Sequence, residues 1–134
     1  MLNTNNYRIL SEKEEGIGNV VVNAAYNVHK SLGPGLLESV YELCFCHELV
    51  KSGLSIKKQQ PVPIVYEGIV FDVALRLDVL VEDLIICELK ATETILPVFG
   101  AQLLSYLRLS NKRLGFLINF NVPLIKEGIK RIVL

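Results

Sequence analysis

The stretch Leu77-Asp78-Val79-Leu80-Val81, followed after Glu82-Asp83 by Leu84-Ile85-Ile86-Cys87-Glu88-Leu89-Lys90, decides how this chain is read. Both halves have the length and apolar content of β-strands, yet they carry an aspartate and then a Glu-x-Lys. Apolar strands rarely hold charged side chains unless those charges pair or bind something. Successive side chains alternate across a strand, so Glu88 and Lys90 project from one face. Whether Asp78 joins them depends on the turn. A two-residue turn at Glu82-Asp83 pairs Val81 with Leu84 and sets Asp78 against Cys87, on the opposite face from Glu88. A three-residue loop, or one bulge, pairs Asp78 with Glu88 instead. That register also gathers Leu77, Val79 and Val81 with Ile85, Cys87 and Leu89 on one buried face, and it is the expected one.

An Asp, a Glu and a Lys converging on one sheet suit a hard divalent cation and a water. Two carboxylates about 4 Å apart repel by ~4 kcal/mol at an effective dielectric near 20. A bound Mg²⁺ or Mn²⁺ reverses that sign, and carboxylate oxygens are the ligands these ions prefer. Such an ion polarises a phosphodiester and activates water for in-line attack. Lys90 would hold that water or neutralise charge developing on phosphorus. The same residues also fit an ordinary ion-pair network in which Asp78 and Glu88 bridge to Arg76 and Lys90, and such networks are common. These residues alone leave both readings open.

Working outward, Ile17, Val20, Val21, Ala24, Val28 and Leu32 recur at helical spacing. Gly33-Pro34-Gly35 breaks that helix, and a second is expected from Leu36 to about Ser52, with Gly53 as its stop. From Ile56 the pattern is that of strands. Pro61-Val62-Pro63-Ile64-Val65-Tyr66 reads as an edge strand, because proline cannot donate to a ladder. Glu67-Gly68 turns the chain into Ile69–Val81. Pro97 suits the first turn of a helix over 98–109. Leu114–Phe120 is apolar enough to be a central strand, and Ile129–Leu134 reads as a last short one. The order is two helices, an antiparallel meander, a crossover helix and further strands, an α/β class with a mixed sheet.

The chain has 134 residues, 51% of them hydrophobic, and a formal net charge of zero. The length predicts a single domain over 1–134, with residues 1–13 a poorly ordered N-terminal segment. Neutral charge argues against a strong non-specific nucleic-acid binder, though not against an enzyme that turns substrate over. Cys44, Cys46 and Cys87 are odd in number and sit in apolar segments, as buried thiols in a reducing compartment do. No fourth ligand at finger-like spacing accompanies Cys44, Cys46 and His47. The residues up to Glu15 are polar and no apolar run is long enough to span a bilayer, so a soluble, cytoplasmic protein without membrane contact is expected.

Asp78 followed by Glu88-Leu89-Lys90 resembles the signature of the PD-(D/E)XK nuclease superfamily, whose fold is the restriction-endonuclease-like one. Gly35-Leu36-Leu37-Glu38-Ser39-Val40-Tyr41 resembles the motif that names the GxxExxY family, a bacterial branch of it. Gln102-Leu103-Leu104-Ser105-Tyr106 is similar to the Gln-x-x-x-Tyr motif of the RecB-like nucleases. The resemblance implies Mg²⁺- or Mn²⁺-dependent hydrolysis of phosphodiester bonds. It implies metal binding by Glu38, Asp78 and Glu88, and a water-positioning Lys90. Support would come from Gln102, Tyr106, Tyr41 and Gln60. The implied partner is nucleic acid, DNA ahead of RNA, with a homodimer or a protein partner also open. Each motif also has a plainer explanation. Glu38 is a favourable first-turn glutamate, Tyr41 one turn later could simply pack, and Gln102 and Tyr106 share one face of an amphipathic helix. Two departures stand out: no Pro precedes Asp78, and Phe99 occupies a position where similar sequences carry His. The alternative is a nuclease-fold module that binds or regulates without cutting, alone or with a partner protein.

Overall fold

The computed structural model describes residues 9–134 of the chain; the start of the expected N-terminal segment, residues 1–8, lies outside them. The first helix, α1 (Glu12–Leu32), begins inside the stretch expected to be poorly ordered. Ser11 and Glu14 explain this. The Glu14 N–H donates to Ser11 Oγ at 3.0 Å and the Ser11 N–H to Glu14 Oε1 at 2.8 Å, a reciprocal cap that satisfies two otherwise orphaned donors. Ile17, Val21, Ala24, Ala25 and Val28 form its buried stripe. Helix α2 (Glu38–Lys51) starts two residues later than its periodicity suggested. The Gly33–Leu37 loop intervenes, with Gly33 and Gly35 at φ +67° and +98°, values an L side chain resists.

Five strands follow: β1 (Ile56–Tyr66), β2 (Ile69–Val81), β3 (Ile85–Lys90), β4 (Leu114–Asn119) and β5 (Ile129–Val133). They lie side by side in chain order. Every neighbouring pair is antiparallel except β3 and β4, which run parallel. The crossover that a parallel pair requires is α3 (Pro97–Ser110), with Pro97 in its first turn. The edge position of β1 and the interior position of the wholly buried β4 are as the sequence predicts.

Helices α1 and α2 cover one face of the sheet, packing Tyr41, Phe45 and Leu49 on Val79, Val81, Ile85, Cys87 and Leu89. Helix α3 covers the other, packing Leu103 and Leu107 on Leu77, Leu80, Ile86 and Leu117. Leu77 therefore corrects one expectation: it is buried, but on the α3 side rather than with Val79 and Val81. Residues two apart on a strand share a face, so their separation means that alternation breaks at Asp78. The ladder between β2 and β3 ends at Val79↔Cys87, just before that residue.

Candidate active site

The turn settles the register in favour of gathering the charges. Val81 pairs with Ile85, so Glu82, Asp83 and Leu84 form a three-residue loop with Glu82 and Asp83 at positive φ. Asp78 and Glu88 then meet across β2 and β3. Instead of continuing the backbone ladder, the strands exchange side-chain bonds. The Asp78 N–H donates to Glu88 Oε1 at 3.2 Å, and the Leu89 N–H donates to Asp78 Oδ2 at 2.9 Å. Each carboxyl group thus accepts a backbone N–H from the neighbouring strand.

Glu88 is only 6% exposed. Its carboxyl is pushed up to about 8, first by burial and then by the negative charge of Asp78, and a hydrogen bond between the two carboxyl groups adds to the rise. Lys90 pulls in the opposite direction but does not pair. Ion pairs such as Lys51–Glu48, Lys112–Asp83 and Arg131–Glu15 form elsewhere, and among the described residues none involves Asp78, Glu88, Arg76 or Lys90. The structural ion-pair network that the sequence left open is therefore not formed. Burying Glu88 beside a second carboxyl group is costly unless a proton or a cation is held there.

Lys90 is steered by Phe99 of α3, whose ring centre lies 4.5 Å from its Nζ. The aromatic ring attracts the ammonium electrostatically and leaves its donors free. The residue standing in place of an anticipated His thus positions the lysine. A spacing of four residues, about one turn of α3, puts Gln102 and Tyr106 on one side, where Gln102 Nε2 donates to Tyr106 Oη at 2.7 Å. Tyr106 feels the site directly. Its hydroxyl is pushed up by burial and then by Glu88, with Gln102 opposing and Asp78 adding.

Glu38 opens α2 and is exposed. Its carboxyl is raised by loss of surrounding water, then by Asp78, while Lys90 lowers it and Glu42 raises it again. It therefore lies within the field of both charged strands. Among the described residues, however, no three His, Cys, Asp or Glu side chains stand together as a ready-made cation cage. Asp78 and Glu88 are brought together; Glu38 stands off.

Tyr41 does not reach the carboxylates. Fully buried, it stacks on Phe120 with ring centres 4.6 Å apart. Its hydroxyl donates to the Gly33 carbonyl at 2.6 Å and accepts from the Leu36 N–H at 3.1 Å. It latches the loop that leads into Glu38. Gln60 is also elsewhere, lining a cavity of about 340 Å³ with Pro61, Leu77, Leu80 and Leu109. Its neighbour Gln59 is the one directed at α2. At φ +51° it interrupts the pairing between Lys58↔Val79 and Gln60↔Leu77, opposite Asp78, and its Nε2 donates to Glu42 Oε1 at 2.9 Å.

Asn119 is a further residue that strand patterning does not single out. It is buried at the end of β4, accepting from the Thr92 and Asn121 N–H groups and donating to the Thr92 carbonyl. The Phe120 N–H bonds the Lys90 carbonyl at 3.0 Å. Together these bonds fix the chain just beyond Lys90. An amide at the end of an otherwise apolar strand was the available signal.

A family model of the PD-(D/E)XK nuclease superfamily matches residues 15–132. The chain belongs to that superfamily, and among the described residues three α-helices and a five-stranded mixed sheet form the restriction-endonuclease-like fold. No curated protein and no solved structure matches it. No helix among the described residues is long and apolar enough to cross a membrane.

Proposed function

We propose that this protein is a single-domain, metal-dependent nuclease of the GxxExxY branch, bacterial and cytoplasmic, that hydrolyses phosphodiester bonds in nucleic acid, DNA ahead of RNA. The observation that carries the reading is the Asp78–Glu88 pair, cross-bonded through the backbone, with Glu88 buried and Lys90, which is in no ion pair among the described residues, held nearby over Phe99. The donor set is all oxygen, the chemistry of a hard divalent ion. Asp78 and Glu88 would hold Mg²⁺ or Mn²⁺, with Glu38 completing the set. Bound there, the ion would supply charge stabilisation and a more acidic water.

The chain's own residues do the rest. Phe99 holds the Lys90 ammonium beside the carboxylates, where it can orient a water or meet charge on a phosphoryl oxygen. Tyr106, tied to Gln102, offers a hydroxyl to the same region. The branch motif also acquires a physical reason: Gly35 supplies positive φ, Tyr41 ties the loop down, and Glu38 is thereby delivered at the helix start.

One observation favours the alternative, a nuclease-fold module that binds nucleic acid or a partner protein without cutting. Glu38 does not close on the pair. The test is cleavage of single- and double-stranded DNA and RNA with Mn²⁺ and with EDTA, wild type beside Lys90→Ala. Cleavage that needs metal and is lost in the variant supports the nuclease. Metal-bound, folded protein that cuts nothing supports the module.

A further inference from the structure

A glutamine at positive φ inside a strand is a conformation that backbone sterics disfavour. Among the described residues, Glu67, Glu82, Asp83 and Asn111 also have positive φ, but each stands in a turn or at a helix end. Gln59 stands within β1 at φ +51°, between the pairs Lys58↔Val79 and Gln60↔Leu77. Asp78 is therefore its cross-strand neighbour. Backbone strain of this kind persists only where the surroundings over-determine it, and it collects at functional sites.

What the strained residue gains is a bond to α2, from its Nε2 to Glu42 Oε1 at 2.9 Å. Glu42 follows Glu38 by four residues, so the two carboxyl groups share one face of the helix and repel. The Glu38 carboxyl, raised first by burial and then by Asp78, is raised further by Glu42. Lys58, the cation next to Gln59, is in no ion pair with Glu42 among the described residues. A neutral donor suits this place, because a cation opposite Asp78 would repel a divalent ion held there. The bond has one end on the strand residue facing Asp78 and the other one turn from Glu38. It ties together the two elements that carry these carboxyl groups.

We propose that Gln59 is a positioning residue, which holds α2 against β1 through Glu42 and so sets the reach of Glu38 towards the Asp78–Glu88 pair. The inference rests on the proposed metal site and adds to it a residue that acts without touching the ion. The test is calorimetric titration of the full chain with Mn²⁺, without nucleic acid, on wild type, Asp78→Asn and three variants at position 59. Gln59→Gly accepts the positive φ and removes only the amide. It should weaken Mn²⁺ binding by about tenfold, the lower end of what residues that orient a metal ligand contribute. Gln59→Glu sets a carboxylate against Glu42 and should weaken binding further. Adding Glu42→Gln to Gln59→Glu rebuilds the bond with donor and acceptor exchanged, and should restore the affinity. Cleavage by Gln59→Gly should recover at saturating Mn²⁺, whereas cleavage by Lys90→Ala should not. Thermal melts in EDTA serve as the control for folding. Unchanged Mn²⁺ affinity in Gln59→Gly and Gln59→Glu, with or without a lower melting temperature, reduces Gln59 to a structural contact and overturns the proposal while the metal site stands. Weakening without rescue by Glu42→Gln overturns it too. Wild type that binds Mn²⁺ no better than Asp78→Asn overturns the metal site itself, and this proposal with it.

Discussion

Glu88→Gln should make this protein more stable, and the gain should depend on pH in a calculable way. The glutamate carboxyl, ordinarily near 4.5, is raised to about 8 in the folded chain by burial and by Asp78. Between those values the unfolded chain releases the proton while the folded chain keeps it, so the native state binds more protons and stability falls as pH rises. The stability contribution is complete below pH 4.5 and is lost as pH climbs through 8. At 1.36 kcal/mol per unit, the loss is about 3 kcal/mol at pH 7 and approaches about 5 kcal/mol above pH 8. Glutamine is a neutral copy of the protonated acid. Its amide oxygen can still accept from the Asp78 N–H, and its NH₂ can donate to the Asp78 carboxylate. The variant should therefore match wild type near pH 4.5 and exceed it by about 3 kcal/mol at pH 7, or roughly 10 °C in Tm for a chain of this length. Urea melts in EDTA at pH 4.5, 6, 7 and 8.5 measure the gap. A gap that is absent at pH 8.5, or the same at every pH, would refute the claim that the fold holds Glu88 protonated. Gain of stability with loss of cleavage would mark a site kept under strain for function.

The same protonation makes metal binding proton-linked: at pH 7 Mn²⁺ should displace about one proton per ion, because a group with pKa near 8 is ~90% protonated there. Calorimetry in buffers of different ionisation heat reads this, and zero release would exclude Glu88 as a ligand. Tyr41→Phe removes a buried hydroxyl that serves two partners in the Gly33–Leu37 loop. It should destabilise by about 1–3 kcal/mol and lower activity through Glu38; an unchanged denaturation midpoint would sink this role. Gly128→Ala places a Cβ 2.2 Å from the Asn119 carbonyl oxygen, and backbone must move. A loss of about 1–3 kcal/mol is expected, read by thermal melts, together with weaker Mn²⁺ binding if Asn119 shifts the segment after Lys90.

What the sequence alone determined was what depends on neighbours along the chain. Helical and alternating periodicities, with Gly and Pro as punctuation, place the three α-helices and five strands of the described residues, because those signals are written within a few residues. The Asp78–Glu88 encounter was also legible, since one short turn governs it. Helix α1 starts early because of the Ser11–Glu14 cap, a signal as local as the others.

Tertiary structure decided the rest. Leu77 changes face because carboxylate bonds replace the ladder at Asp78, and alternation assumes an unbroken ladder. Tyr41 turns inward because Phe120, far along the chain, offers it a stacking partner. Gln59 rather than Gln60 reaches α2, since a positive φ at one residue reverses which side chain points there. The raised pKa of Glu88 belongs to no motif at all. It follows from how much water the packed helices and sheet exclude and from how near Asp78 is held, and only the assembled fold sets either quantity.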